Sequence, residues 1–297
     1  MSIQSKLTKP LIRFAMSHRG DESILEQRAR LEKLGCWAWL PKDVVVEPAL
    51  VGNVSAEWIT TSNPNPDQVI LYLHGGGYTI GSVNTHRDLI MRLSRASQMR
   101  VLALDYRLAP ENPFPAALED ATSAYLWLLA SGCTPGSIII AGDSAGGGLT
   151  LATLVNLRNL GEPLPAGAVC LSPWTDLAGT GESIKTKVKQ DVILQTIKTG
   201  KMAIAYAGAY DLKYPLISPL YADLQELPPL LIQVGTDEIL LDDSTRLAEK
   251  VRAAGVDVTL EIWEGMDHVF QAQAIILPEA RRAIQGIGKF MQERVTK

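Results

Sequence analysis

The pentapeptide Gly142-Asp143-Ser144-Ala145-Gly146 could supply a nucleophile for acyl transfer, because a serine on a tight turn between a strand and a helix has its hydroxyl exposed and its backbone strained. The pattern G-x-S-x-G arises by chance in glycine-rich chains, so its context carries the weight. Here the apolar run Ser137 to Ala141 leads directly into it and a helical segment follows at once. Small residues are needed at Gly142 and Gly146, where side chains would collide with the serine or with the neighbouring strand and helix. A phosphate-binding turn would suit the same glycines, but the chain has no G-x-x-x-x-G-K-[ST] here and no acidic residue closing the next strand for a ribose.

Attack on an ester carbonyl creates an oxyanion that needs preorganised N–H donors. His74-Gly75-Gly76-Gly77-Tyr78, directly after the apolar run Gln68 to Leu73, offers them: the Gly76 and Gly77 amides, joined by the Ala145 amide, with Gly75 keeping the loop tight. Of the four histidines (His18, His74, His86 and His268), only His268 follows the last apolar run, Val256 to Trp263, and it is the expected general base. His74 precedes the serine and is read as structural, its ring fixing the loop. His18 and His86 are read as surface or helix-capping residues. The acid that orients the base should follow the run Leu230 to Val234, where the loop reads Gly235-Thr236-Asp237-Glu238. Asp237, the first carboxylate, is the expected partner of His268, with Glu238 and Asp242 as alternatives. Asp242 and Asp243 are read as capping the next helix, and Asp267 is too close in sequence to His268 to meet its ring well.

These residues need a scaffold of strands and helices. Helical periodicity before Leu40, with apolar Ile24, Leu25, Leu31 and Leu34, ends at Pro41. Val44 to Val46 and Ala56 to Thr60 read as a hairpin around Gly52-Asn53. Six short apolar runs then alternate with helical segments: Gln68 to Leu73, Arg100 to Asp105, Ser137 to Ala141, Gly167 to Leu171, Leu230 to Val234 and Val256 to Trp263. The helical segments are Thr85 to Ala96, Ala116 to Ala130, Ala145 to Leu160, Asp243 to Ala254 and Pro278 to Arg294. That order predicts one α/β domain, a mostly parallel sheet covered on both faces. Asp176 to Pro215 is too long for a structureless loop, so it should carry helices over a site.

The chain has 297 residues, 46% of them hydrophobic, and a formal net charge of −4 with scattered basic residues, which argues against nucleic acid as a partner. Three separated cysteines, Cys36, Cys133 and Cys170, suit free thiols in a reducing compartment. Lys6, Lys9 and Arg13 interrupt the apolar residues between Met1 and Met16, so no signal-peptide core is read, and no apolar stretch approaches bilayer length. A cytoplasmic protein without membrane insertion is the expectation.

With these motifs in hand, the chain from about Val44 onward resembles the hormone-sensitive-lipase group of carboxylesterases, including the bacterial family IV esterases. The resemblance rests on His74-Gly75-Gly76-Gly77, Asp105 to Glu111, Phe114-Pro115-Ala116-Ala117, Gly142 to Gly147, Ser218-Pro219-Leu220 and Gly265 to Phe270. It implies an α/β-hydrolase fold with an eight-stranded sheet, residues 41–175 and 216–297 forming the core, and a helical cap built from 1–40 and 176–215. It further implies hydrolysis of short to medium acyl esters without a cofactor or metal, and a homodimer through the last strand. Many relatives have Asp-Pro-Leu at the acid where this chain has Asp237-Glu238-Ile239. Met16, Tyr78, Trp174, Met202 and Tyr206 are candidate pocket walls. Two rival readings are a non-catalytic receptor on the same scaffold, opposed by the presence of His268, and an amidase sharing the triad.

Overall fold

Successive residues of the central strands face two different cores, which is why their sequences are nearly continuous apolar runs. In the strand Asn65–Leu73 (β3), Val69, Leu71 and Leu73 pack into one core while Ile70 and Tyr72 pack into the other. Ile138 and Ile140 alternate in the same way with Ile139 and Ala141 along Ile138–Asp143 (β5). The computed structural model describes residues 2, 4, 9–10, 22–35, 41–194 and 199–296.

Eight strands form one sheet. The hairpin Val45–Val51 (β1) and Val54–Thr60 (β2) is antiparallel and joins Met99–Leu104 (β4) antiparallel. β3, β4, β5, Gly167–Leu171 (β6), Leu230–Gly235 (β7) and Val258–Trp263 (β8) are mutually parallel, in the overall order β1-β2-β4-β3-β5-β6-β7-β8. β1 extends past the predicted Val46 through Pro48, which an edge strand tolerates.

Helices cover both faces. Ile24–Gly35 (α1) is followed by Val83–Ser97 (α2), Ala116–Ala130 (α3) and Ala145–Leu160 (α4). Leu241–Ala253 (α7) and Pro278–Arg294 (α8) complete the layers. α3, α4 and α7 contribute to one core, α2 and α8 to the other. In α1, Ile24 and Leu31 pack against the protein while Leu25 is 65% exposed, so the apolar face is narrower than the sequence suggested. Among the described residues the insertion carries the helices Ser183–Thr186 (α5) and Thr199–Ala207 (α6), in keeping with its length. Among the described residues no helix is long and apolar enough to cross a membrane. Cys133 and Cys170 are free thiols, and Cys36 lies outside the described residues.

Because the strands are parallel, the loops after β3, β5, β6, β7 and β8 leave from the same edge of the sheet. The segments singled out for chemistry all lie on that edge.

Candidate active site

β5 ends at Asp143 and α4 begins at Ala145, so Ser144 is the single residue that turns the chain, with φ 53° and ψ −120°. A serine pays a steric cost in that region, and the surrounding hydrogen bonds hold it there. Its N–H donates to Leu171 O at 2.8 Å, while its own carbonyl accepts from Gly148 N at 3.1 Å and Trp174 N at 2.9 Å. The flanking glycines allow the close approach: a Cβ on Gly146 would overlap the carbonyls of Leu73 and His74, and one on Gly142 would overlap the Gly146 carbonyl.

His268 reaches Ser144 from the loop after β8, with Nε2 2.9 Å from Ser144 Oγ. Its Nδ1 lies 2.8 Å from Glu238 Oε2. Asp237, the expected partner, is not there. Its carboxylate instead pairs with Lys9, and Thr236 Oγ1 donates to its Oδ1 at 3.2 Å. The Asp237 N–H is held by Met266 O at 3.1 Å, and the next residue turns into the protein, where Glu238 is fully buried. There its Oε1 accepts from Gly235 N at 2.7 Å and Ser172 Oγ at 2.8 Å. All three Glu238 contacts come from donors, so Nδ1 of His268 carries the proton and the Nε2 lone pair faces the serine hydroxyl. Burial opposes charge on His268, but the hydrogen bond and charge of Glu238 outweigh it and hold its pKa above the usual histidine value. Asp267 faces Lys9, 3.3 Å from its Oδ1, and burial pushes its pKa up to about 6.

The loop after β3 places Gly76 (φ 118°) and Gly77 (φ 61°) beside the serine, in backbone conformations that only glycine adopts readily. Among the described residues the amides of Gly76, Gly77 and Ala145 have no hydrogen-bond acceptor. The loop is braced from below. Gly75 N donates to Asp143 Oδ1 at 3.0 Å, and Tyr72 Oη donates to the same oxygen at 2.6 Å. The His74 ring stacks on Tyr106 with centroids 4.3 Å apart, and its Nδ1 lies 2.7 Å from Gly75 O. Burial, reinforced by nearby His86, lowers the His74 pKa to about 3, so it is neutral.

His86 is neither surface nor cap. It stands 3.4 Å from Asp143 Oδ2 and lines the cavity over Ser144. Burial opposes its charge, but Asp143 prevails and its pKa is raised. The only sequence signal was its place on a helix that follows the glycine loop. His18 lies outside the described residues.

Above the serine is a cavity of about 440 Å³ with mainly apolar walls, which include Leu31 of α1, Ile80, Trp174, Ile193, Leu194 and Met202 of α6. Of the other candidate wall residues, Tyr78 and Tyr206 are buried in a stacked pair 3.7 Å apart, and Met16 is outside the described residues. The predicted capping role of Asp242 and Asp243 is not found. α7 starts from Leu240 without a side-chain cap; Asp242 accepts from Ser183 N at 2.8 Å, and Asp243 from Thr175 N at 2.7 Å and Asp176 N at 2.8 Å. Both carboxylates tie down the chain leaving β6. Among the described residues no group of three His, Cys, Asp or Glu is placed to hold a metal ion.

Residues 70–272 match the protein family described as alpha/beta hydrolase fold. An acetyl-hydrolase of Streptomyces hygroscopicus is 48% identical over 252 residues, 85% of this chain and 83% of that protein. An esterase of Acinetobacter venetianus is 39% identical over 249 residues, 83% of this chain and 82% of that protein. The crystal structure of an esterase from the bacterial hormone-sensitive lipase family superposes with a TM-score of 0.95 at 47% identity, covering 100% of this chain and 99% of that one.

Proposed function

The chain belongs to the α/β-hydrolase fold family, in its bacterial hormone-sensitive-lipase branch, and is a carboxylic ester hydrolase; on that premise we propose that it cleaves short to medium acyl esters through an acyl-enzyme on Ser144. The observation that carries the reading is the hydrogen-bonded series from Ser144 Oγ to His268 Nε2 at 2.9 Å and from His268 Nδ1 to Glu238 at 2.8 Å. His268 takes the hydroxyl proton as Ser144 attacks the carbonyl carbon. Glu238 fixes the ring and offsets the imidazolium charge. The oxyanion is held by the Gly76, Gly77 and Ala145 amides, each contributing on the order of 3 kcal/mol to the fall in the barrier. His268 returns the proton to the leaving alcohol, then activates the water that releases the acid.

The apolar cavity suits an alkyl ester, and Lys9 stands near enough to Asp237 and Asp267 to keep those carboxylates occupied away from the histidine. We assign residues 1–40 and 176–215 to a cap over this cavity. Enzyme action in the cytoplasm without a cofactor, and pairing of two copies along β8, the end strand of the sheet, complete the proposal.

Hydrolysis of p-nitrophenyl butyrate by Ser144→Ala tests the nucleophile. Turnover should fall by a factor on the order of 10⁴ or more; activity within tenfold of the parent would contradict it.

A further inference from the structure

Behind the catalytic cavity lies a second one of about 630 Å³, between α5, α6 and the chain that leaves β6. Leu177, Ala178, Ile184, Ile204 and Leu212 make its lining largely apolar, with Lys201 beside them. The two cavities share Trp174, Thr199 and Leu240. Trp174 and Leu240 are 4% and 2% exposed, so these side chains stand as packed matter between two spaces, each large enough for part of a ligand.

We propose that Trp174 and Leu240 are the end wall of the ester's alkyl subsite and that the cavity behind them is a latent alkyl-chain site. This rests on the assignment of Ser144 as nucleophile. The occupant is the saturated hydrocarbon arm of an ester, because the lining residues offer it dispersion and burial and little to a polar group. An arm that ends at the wall buries its methylenes in the first cavity. A longer arm must either stay in water or displace Trp174 and Leu240. The Trp174 backbone is fixed by its amide N–H, which donates to Ser144 O at 2.9 Å, and its indole ring packs 6.2 Å from the ring of Tyr78. Leu240, an aliphatic side chain smaller than the indole, is the half of the wall that a single substitution shortens with the least loss of packed volume. Shortening it should join the cavities, and each further methylene buried in the second one, whose rim includes the 66% exposed Ile204, should raise kcat/KM by up to roughly fourfold.

The test compares kcat/KM ratios. One series varies the acyl arm (p-nitrophenyl butyrate, octanoate and dodecanoate), the other the alcohol arm (butyl, octyl and dodecyl butyrate). Leu240→Ala should raise the long-to-short ratio at least tenfold in one series, which identifies the arm that points at the wall. Ile184→Trp, at a residue that lines the second cavity and not the first, should erase that gain when added to Leu240→Ala. Trp174→Leu carries the same comparison if Leu240→Ala fails to fold. Unchanged ratios in both series for folded variants that still hydrolyse butyrate would overturn the proposal, as would a gain that Ile184→Trp leaves intact. Failure of the parent enzyme on every ester would instead remove the reading of Ser144 on which the proposal rests.

Discussion

Asp237 and Glu238 are adjacent carboxylates on one turn, yet only Glu238 meets His268. Chain order located the acid in the loop after β7 but could not say which side chain faces inward. That choice is made by the Asp237 N–H bond to Met266 O and by Lys9, more than two hundred residues earlier in the sequence. Glu238 also gains reach from its extra methylene, and Gly235 N and Ser172 Oγ orient its second oxygen. Ser144, His268 and the glycine loop were legible because their roles depend on position along the chain, which the motifs record. For the acid, replacing Glu238 by Gln should lower kcat/KM for p-nitrophenyl butyrate by about 10³–10⁴-fold, since the tautomer of His268 is no longer fixed. Asp237→Asn should cost less than tenfold. Steady-state kinetics on the two variants decide the matter, and the reverse ranking would restore Asp237.

At the scale of elements, the N-terminal turn of α4 shows how a helix can require a residue that helices disfavour. Alanine normally stabilises an exposed helical position relative to glycine by up to about 1 kcal/mol. At Gly146 a Cβ would stand 2.6 Å from His74 O, where the end of β3 packs against the helix, and backbone cannot yield cheaply. Gly146→Ala should therefore lower the thermal midpoint by several degrees, corresponding to roughly 1–3 kcal/mol. A raised midpoint in calorimetry would show that helix propensity wins. The strands and major helices could be read from apolar runs and 3.6-residue periodicity, and α3, α4 and α8 have the predicted bounds. The link from Asp143 to His86 could not, because it joins residues of different elements whose side-chain directions are set only when α2 packs on the sheet.

Across the whole molecule, loops at one edge of the parallel strands and the insertion after β6 line the same cavity over Ser144, and Asp243 fastens one to the other. It is fully buried and accepts the amides of Thr175 and Asp176, where the chain departs β6 for the insertion. Burial raises its pKa to about 8, well above that of an unfolded aspartate. The folded protein then holds a proton that the unfolded chain releases above about pH 4. This contribution to stability is greatest at low pH and declines by up to about 1.4 kcal/mol per pH unit until the folded pKa is passed. Asn at this position can accept the same two amides without titrating. Denaturant unfolding between pH 5.5 and 8.5 should therefore show the parent losing stability relative to Asp243→Asn as pH rises. Parallel profiles would assign Asp243 an ionised state throughout. The insertion's length was visible in the sequence, but its fastenings were not, since Asp242 and Asp243 looked like ordinary residues of a helix start.

In the proposed mechanism Ser144 is the residue that becomes covalently bonded to the acyl carbon. Intact-mass analysis after exposure to a fluorophosphonate, followed by peptide mapping, reads out that bond at the serine itself. The parent protein should gain the mass of a single phosphonyl group, carried on the peptide that contains Ser144, and Ser144→Ala should gain none. Phosphonylation of Ser144→Ala at the parent's rate, or an active parent that takes up no label, would contradict it.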